Sequence, residues 1–244
     1  MPATFERTLV VMPALNEEAS VGGVVAEVLA TLPGVGCLVV DDGSSDATAR
    51  VARAAGAVVA QLPFNLGVGG AMRLGFKYAI KHGYDSVVQI DSDGQHDPRD
   101  VPELLAALDN ADLVIGARFA GEGDYTVRGP RRWAMWLLAA ILSRTAGTKL
   151  TDTTSGLKAS GPRAVRLFAV HYPAEYLGDT IEALVIAARA GCTITQVPAS
   201  MRARSGGNPS HRPVKAALYL ARAIVALGFA LVRPPAASEM EAAS

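Results

Sequence analysis

Short, continuous apolar runs alternate with helical stretches through the first half of the chain, and this alternation restricts the fold more than any other feature. Thr8–Pro13, Cys37–Val40, Ala57–Gln61, Ser86–Ile90 and Asp112–Gly116 read as strands. Ala19–Leu32, Asp46–Ala55, Gly69–His82 and Asp97–Leu108 read as the helices between them. Strands that are apolar at successive positions are buried on both faces, which in this rhythm predicts an α/β fold: a mostly parallel sheet with helices on both sides. In such sheets ligands bind beyond the carboxyl ends of the strands. The polar residues directly after three strands, Asn16-Glu17, Asp41-Asp42 and Asp91-Ser92-Asp93, are therefore expected along one edge. At 244 residues, 50% of them hydrophobic, the chain has enough material for one large domain of this kind.

After Gly116 the alternation fails. Gly121–Gly129 is a glycine- and charge-rich loop, and Arg131–Ala146 reads as a helix almost without polar residues in its middle. A loop over Gly147–Ser155 leads through short segments to a helix near Asp179–Ala190 and a final strand, Thr193–Pro198. Arg202–Pro213 is basic and contains Gly206 and Gly207, and Val214–Val232 reads as a closing apolar helix. The expected organisation is a main domain over residues 1–213, a C-terminal helix over 214–233 and a disordered tail over 234–244.

The run Val87-Val88-Gln89-Ile90-Asp91-Ser92-Asp93-Gly94-Gln95-His96-Asp97-Pro98 carries the most chemistry. An apolar strand delivers two carboxylates, one residue apart, onto a turn that ends at a helix start. Two ionised aspartates this close repel unless a cation lies between them, and a hard divalent ion with oxygen ligands is the usual remedy. The Gln95 amide oxygen could add a further ligand. The competing reading is a solvated Asp-Gly turn before a capped helix. A second acidic turn, Asp41-Asp42-Gly43-Ser44-Ser45-Asp46, could place a carboxylate on a nucleobase or ribose hydroxyl, although helix capping accounts for the serines and Asp46. Asn65-Leu66-Gly67-Val68-Gly69-Gly70-Ala71 has the look of a dinucleotide fingerprint, but Met72 stands where the third glycine belongs. A Rossmann dehydrogenase is thereby rejected.

The ordered set Pro13-Ala-Leu-Asn-Glu-Glu, Val40-Asp-Asp-Gly-Ser, Asn65-x-Gly, Asp91-Ser-Asp-Gly-Gln-His, Gly116-Ala-Arg118-Phe and Asp152-Thr-Thr-Ser-Gly-Leu-Lys158 resembles the family 2 glycosyltransferases. Among them the chain is most similar to the dolichol-phosphate and polyprenyl-phosphate sugar transferases, from about Thr8 to Ser210. The resemblance implies a GT-A fold, a nucleotide-sugar donor such as GDP-mannose or UDP-glucose, Mg²⁺ or Mn²⁺, and inversion at the anomeric carbon. It implies donor binding by Pro13, Ala14, Leu15, Glu17, Asp41, Asp42 and Asn65, with Asp91, Asp93 and Gln95 on the metal. Arg118 would reach a donor or acceptor phosphate, and Arg204 would help close the Arg202–Pro213 loop over the diphosphate like a lid. Asp152, Ser155 and Lys158 would lie by the acceptor. Arginine suits such roles because its planar fork donates two parallel hydrogen bonds to a phosphate.

A phosphate-monoester acceptor is mostly dianionic at neutral pH and hardly needs deprotonation. A hydroxyl acceptor does, and Asp179 or Glu182 could then serve as the catalytic base; otherwise they are an acidic helix start favoured by the helix dipole. Arg131 and Arg132 open a helix with Trp133 and Trp136, the pattern of a helix lying in a membrane interface, where a lipid phosphate would be within their reach. Lys215, Arg222 and Arg233 interrupt the last helix, leaving apolar stretches far shorter than the roughly 20 residues a bilayer core needs. Packing against the main domain or a second copy of the chain is the alternative for both helices. The 23 basic and 23 acidic residues cancel, which argues against nucleic acid as a partner. Cys37 and Cys192 read as small buried hydrophobes without metal-binding spacing, with a disulfide between them left open. The N-terminal residues lack the plan of a signal peptide, so the expected setting is cytoplasmic, peripheral at the inner face of the membrane.

Overall fold

A computed structural model of the chain describes residues 5–117, 143–144, 147–148, 150–173 and 179–202. The first half follows the predicted order: β1 (Thr8–Ala14), α1 (Val21–Thr31), β2 (Gly36–Asp41), α2 (Thr48–Ala54), β3 (Val58–Gln61), α3 (Gly67–Lys81), β4 (Ser86–Gln89), α4 (Val101–Ala107) and β5 (Leu113–Ala117). Then come β6 (Lys158–Ser160), α5 (Pro162–His171), α6 (Asp179–Arg189) and β7 (Ile194–Pro198). The helix expected over Asp97–Leu108 is split, with a 3₁₀ turn at Pro98–Asp100 ahead of α4. Pro102 stands at the start of α4, where its missing N–H has no helical partner to lose.

The seven strands form one sheet in the order β3-β2-β1-β4-β6-β5-β7. All pairings are parallel except those of β6, which runs antiparallel between β4 and β5. Every residue of β1 is buried, and its side chains divide by parity. Leu9 and Val11 pack with α3, α5 and α6; Val10 and Met12 pack with α1 and α4. That two-sided burial is why the strands carry no polar alternation. Val21, Val24, Val25 and Val28 give α1 its sheet-facing stripe. On the other side Gly75 lets α3 approach so closely that a β-carbon there would lie 2.5 Å from Val11 Cγ1. Phe76, Phe168 and Tyr172 join α3 to α5, with ring centroids 5.1–5.2 Å apart.

The chain winds from β1 out through β2 and β3, then returns to place β4 on the other side of β1. The strand order therefore reverses between β1 and β4, and the crevice beyond their carboxyl ends is where a sheet of this kind binds ligands. Cys37 on β2 and Cys192 beyond α6 are both buried free thiols.

Candidate active site

Three loops leave the sheet at this crevice, and two of them are laced together. The Ala14 carbonyl accepts the Asp42 amide at 2.8 Å, and the Asn16 amide donates to Ser44 Oγ at 2.9 Å. Asn16 Oδ1 accepts from the Ser45 amide, the Glu17 amide donates to Thr48 Oγ1, and Glu18 accepts from the Ala47 amide. Asn16 takes a positive φ of 55° to do this, a conformation asparagine tolerates better than most residues. The polar side chains expected to meet a nucleotide thus first build a rigid rim. Pro13 and Ala14 are buried beneath it, while Leu15 remains 39% exposed.

Asp41 and Asp42 are both buried and both have partners within the chain. Asp41 accepts from the Ser44 amide and Gln61 Nε2. The two oxygens of Asp42 accept the Leu66 and Gly67 amides, at 2.7 and 2.8 Å, so this carboxylate caps α3 from the neighbouring loop. Burial pushes the Asp42 carboxyl above the ordinary carboxylate range, the two amides pull it back, and the charge of Asp41 adds to the rise. Asn65, exposed beside this cap, accepts the Gly67 amide as well.

The third loop carries the aspartate pair. Ser92 Oγ donates to the Pro13 carbonyl at 3.0 Å and ties the loop to the end of β1. The Asp91 amide donates to Nδ1 of the buried His96, the Gln95 amide donates to Asp93 Oδ1, and Gly94 turns the chain with φ 78°. The Asp91 side chain is 41% exposed, and Asp93 and Gln95 are half-buried. Two carboxylates and an amide oxygen on one pinned turn are the donor set of a hard divalent cation. Among the described residues no group of three or more His, Cys, Asp or Glu side chains gathers into a closed cage. A hard divalent ion such as magnesium also takes ligands from substrate phosphates and water.

The segment expected by the acceptor comes to the same place. Asp152 and Ser155 are buried, with Asp152 accepting from the Thr154 amide and hydroxyl and Ser155 Oγ accepting from the Leu157 amide. Gly156 lies directly against Asp91: a β-carbon there would sit 2.3 Å from the carboxylate Oδ2. Lys158 departs from this arrangement. It pairs with Gln89 and Ile115 inside the sheet, between β4 and β5, and its side chain is buried, lining a small void with Phe76, Gln89, Ser160, Phe168 and Tyr172. Glu182 is half-buried on α6, among residues that pack in the core shared with α3 and α5. Arg118, Arg131, Arg132, Arg204 and the side chain of Asp179 lie outside the described residues, as do the segment expected to form a helix over 214–232 and most of the loop expected to form a lid. Two contributors went unassigned in the sequence reading, His96 and Gly156. Both stood inside the motifs quoted, but their partners became visible only with the fold.

Comparison with known proteins agrees with this geometry. The family model "Glycosyl transferase family 2" matches residues 9–171. The undecaprenyl-phosphate mannosyltransferase of Micrococcus luteus is 33% identical over 213 residues, covering 82% of this chain and 86% of that protein. The dolichyl-phosphate hexose transferase of Haloferax volcanii is 31% identical, covering 83% of this chain and 86% of its own. Glucosyl-3-phosphoglycerate synthase from Mycobacterium tuberculosis, solved with Mn²⁺, UDP and glucosyl-3-phosphoglycerate, superposes with a TM-score of 0.70 at 29% identity, covering 93% of this chain and 80% of that one. The same enzyme has been solved with Mg²⁺ and UDP. With the motifs in order, the sheet wound as expected and these relatives matched over most of their length, the chain belongs to glycosyltransferase family 2 and has the GT-A fold.

Proposed function

We propose that the protein is an inverting, metal-dependent hexosyltransferase that moves a sugar from a nucleoside-diphosphate sugar to a polyprenyl phosphate at the inner face of a membrane. The observation that carries this reading is the meeting of the Asp91–Gln95 turn with the Asp152–Gly156 segment, through the contact of Gly156 with Asp91. The mannosyl and hexosyl transferases among its relatives, named for lipid-phosphate acceptors, support the same choice of acceptor.

In this reading the nucleoside rests on the rim built by Pro13, Ala14, Leu15 and the Asp41–Asn16 loops, with the diphosphate toward Asp91 and Asp93. Mg²⁺ or Mn²⁺ held by Asp91, Asp93 and Gln95 would supply Lewis-acid stabilisation of the charge that builds on the departing diphosphate. A phosphate oxygen of the acceptor attacks the anomeric carbon from the face opposite the diphosphate. The new carbon–oxygen bond forms as the bond to the diphosphate breaks, which inverts the centre. Arg118 and Arg204 are assigned to the phosphates, and Arg131 and Arg132 to the acceptor headgroup. Because the acceptor is already a dianion, positioning by cations outweighs base catalysis. Among the described residues no helix is long and apolar enough to cross a membrane.

A second reading has its own support: the solved relative named above is a glucosyl-3-phosphoglycerate synthase, an enzyme of a soluble acceptor. A hydroxyl nucleophile would require a base, for which Asp179 and Glu182 are the candidates. The two readings part on a pair of substitutions. With a lipid-phosphate acceptor, Arg131→Ala and Arg132→Ala lower turnover more than Asp179→Asn or Glu182→Gln, and activity falls below roughly pH 6 with the acceptor's own second ionisation. Loss of transfer in either carboxylate variant, with both arginine variants active, establishes the hydroxyl acceptor instead.

A further inference from the structure

Beyond Ile90, whose amide still donates to the Val11 carbonyl, the metal-motif loop has left the sheet. What holds its far side is the chain that follows β7. The Ala199 amide donates to the Ala117 carbonyl, the Ser200 amide to Asp100 Oδ2 at 2.7 Å, and the Arg202 amide to the Gln95 carbonyl at 2.9 Å. His96 and Met201 form an isolated antiparallel bridge. Residues 199–202 therefore lie as a strap across the loop, bonded to the backbone of the residue assigned as a ligand.

The strap ends in an ion-pair cluster. Arg202 Nη1 reaches both oxygens of Glu27 on α1, at 2.7 and 2.9 Å, while its Nη2 lies 2.6 Å from Asp97 Oδ2. Arg99 adds a second guanidinium to Asp97 through Nε and Nη2. The two arginines hold the Asp97 carboxyl far below the ordinary carboxylate range, Arg99 contributing most. Asp97 is 8% exposed, and its partner Arg202 is 32% exposed, so this is a partly sheltered junction rather than a solvated surface pair. One planar guanidinium spanning two carboxylates is a geometry that lysine cannot reproduce.

We propose that Arg202 is a positioning residue: by joining Glu27 and Asp97 it clasps the strap onto the loop and sets the Asp93–Gln95 turn in its metal-ligating pose before donor arrives. This rests on the reading of Asp91, Asp93 and Gln95 as ligands of a divalent ion at the donor diphosphate. Outer partners of metal ligands typically change metal affinity by about 10–100-fold when removed, and the clasp is assigned that role here.

The test uses the full chain and its Arg202→Gln, Arg202→Lys and Glu27→Gln variants, with Mn²⁺ bound in the presence of UDP or GDP and followed by electron paramagnetic resonance. Hydrogen exchange of the peptide spanning residues 90–102 is measured on the same proteins. Arg202→Gln is expected to weaken Mn²⁺ binding about tenfold and to speed exchange in that peptide while leaving the β1–β2 peptides protected. At saturating Mn²⁺ most of kcat returns. Arg202→Lys and Glu27→Gln, each keeping one arm of the clasp, fall between wild type and Arg202→Gln. Unchanged exchange in the loop, or faster exchange with unchanged Mn²⁺ affinity, overturns the positioning role. Absence of Mn²⁺ binding by the wild-type protein with either nucleotide overturns the ligand assignment itself, and the clasp's role with it.

Discussion

Asp42 gives one oxygen to each of the first amides of α3, so its removal is first of all a loss of fold. Asp42→Ala takes the side-chain acceptor from the Leu66 amide and leaves Gly67 only Asn65 Oδ1, and should lower stability by about 1–2 kcal/mol, read as a shift in the urea midpoint at unchanged slope. Asp93 is the opposite case. It is half-buried on a turn outside the sheet, and Asp93→Ala should abolish turnover and metal-dependent donor binding with only a small change in melting temperature. Near-normal transfer by that variant in EDTA would contradict the metal assignment. Gly156→Ala forces a methyl group into the Asp91 carboxylate, and turnover should fall by an order of magnitude or more, as expected when a reacting group is displaced by about 1 Å. The position of Asp91 and Asp93 beyond the end of β4 was legible in the sequence because an apolar strand runs directly into them. Gly156 was not, because a glycine required by a distant carboxylate looks like any glycine in a loop. Asp42 shows the converse: its residue type stands out in the sequence, but the amides it holds belong to the loop before α3.

Among the elements, the first five strands and four helices were readable because each strand is an unbroken apolar run and each helix has one apolar face. The strand β6 was hidden for a definite reason. Its residues are Lys158, Ala159 and Ser160, a sequence without an apolar run, and it is held in the sheet by neighbours on both sides. It also makes the sheet mixed at the very place where β4 ends. The helix α5, where the sequence reading expects only short segments, carries Pro162 at its first turn and Ala164, Val165, Leu167 and Phe168 on one face. This helix anchors the second half of the chain to the first, since Phe168 and Tyr172 pack on Phe76. Phe168→Ala should therefore cost about 3–5 kcal/mol. A single cooperative unfolding transition at lower denaturant is the expected outcome, and separate melting of the two halves would argue against that shared core.

Across the molecule, a central sheet covered on both faces makes a buried thiol sensitive to pH far from the crevice. Burial on β2 pushes the Cys37 thiol from 9.0 up to about 12. The native state keeps a proton that the unfolded chain releases, so this contribution to stability is whole below pH 9 and is lost as the pH rises toward 12. Urea unfolding of wild type should show that decline, and Cys37→Ala should flatten it. The GT-A fold was legible because motif order and strand rhythm agree; the acceptor was not, because a phosphate and a hydroxyl acceptor differ in their need for a base and not in the sheet that carries the donor. Product analysis addresses it most directly: the protein is given radiolabelled GDP-mannose or UDP-glucose with Mn²⁺, and a polyprenyl phosphate in detergent micelles competes with 3-phosphoglycerate. The account predicts label in an organic-extractable glycosyl phosphate, released as free sugar by mild acid and dependent on Asp93. Label confined to a water-soluble phosphoglycerate glycoside, with none in the lipid, would contradict it.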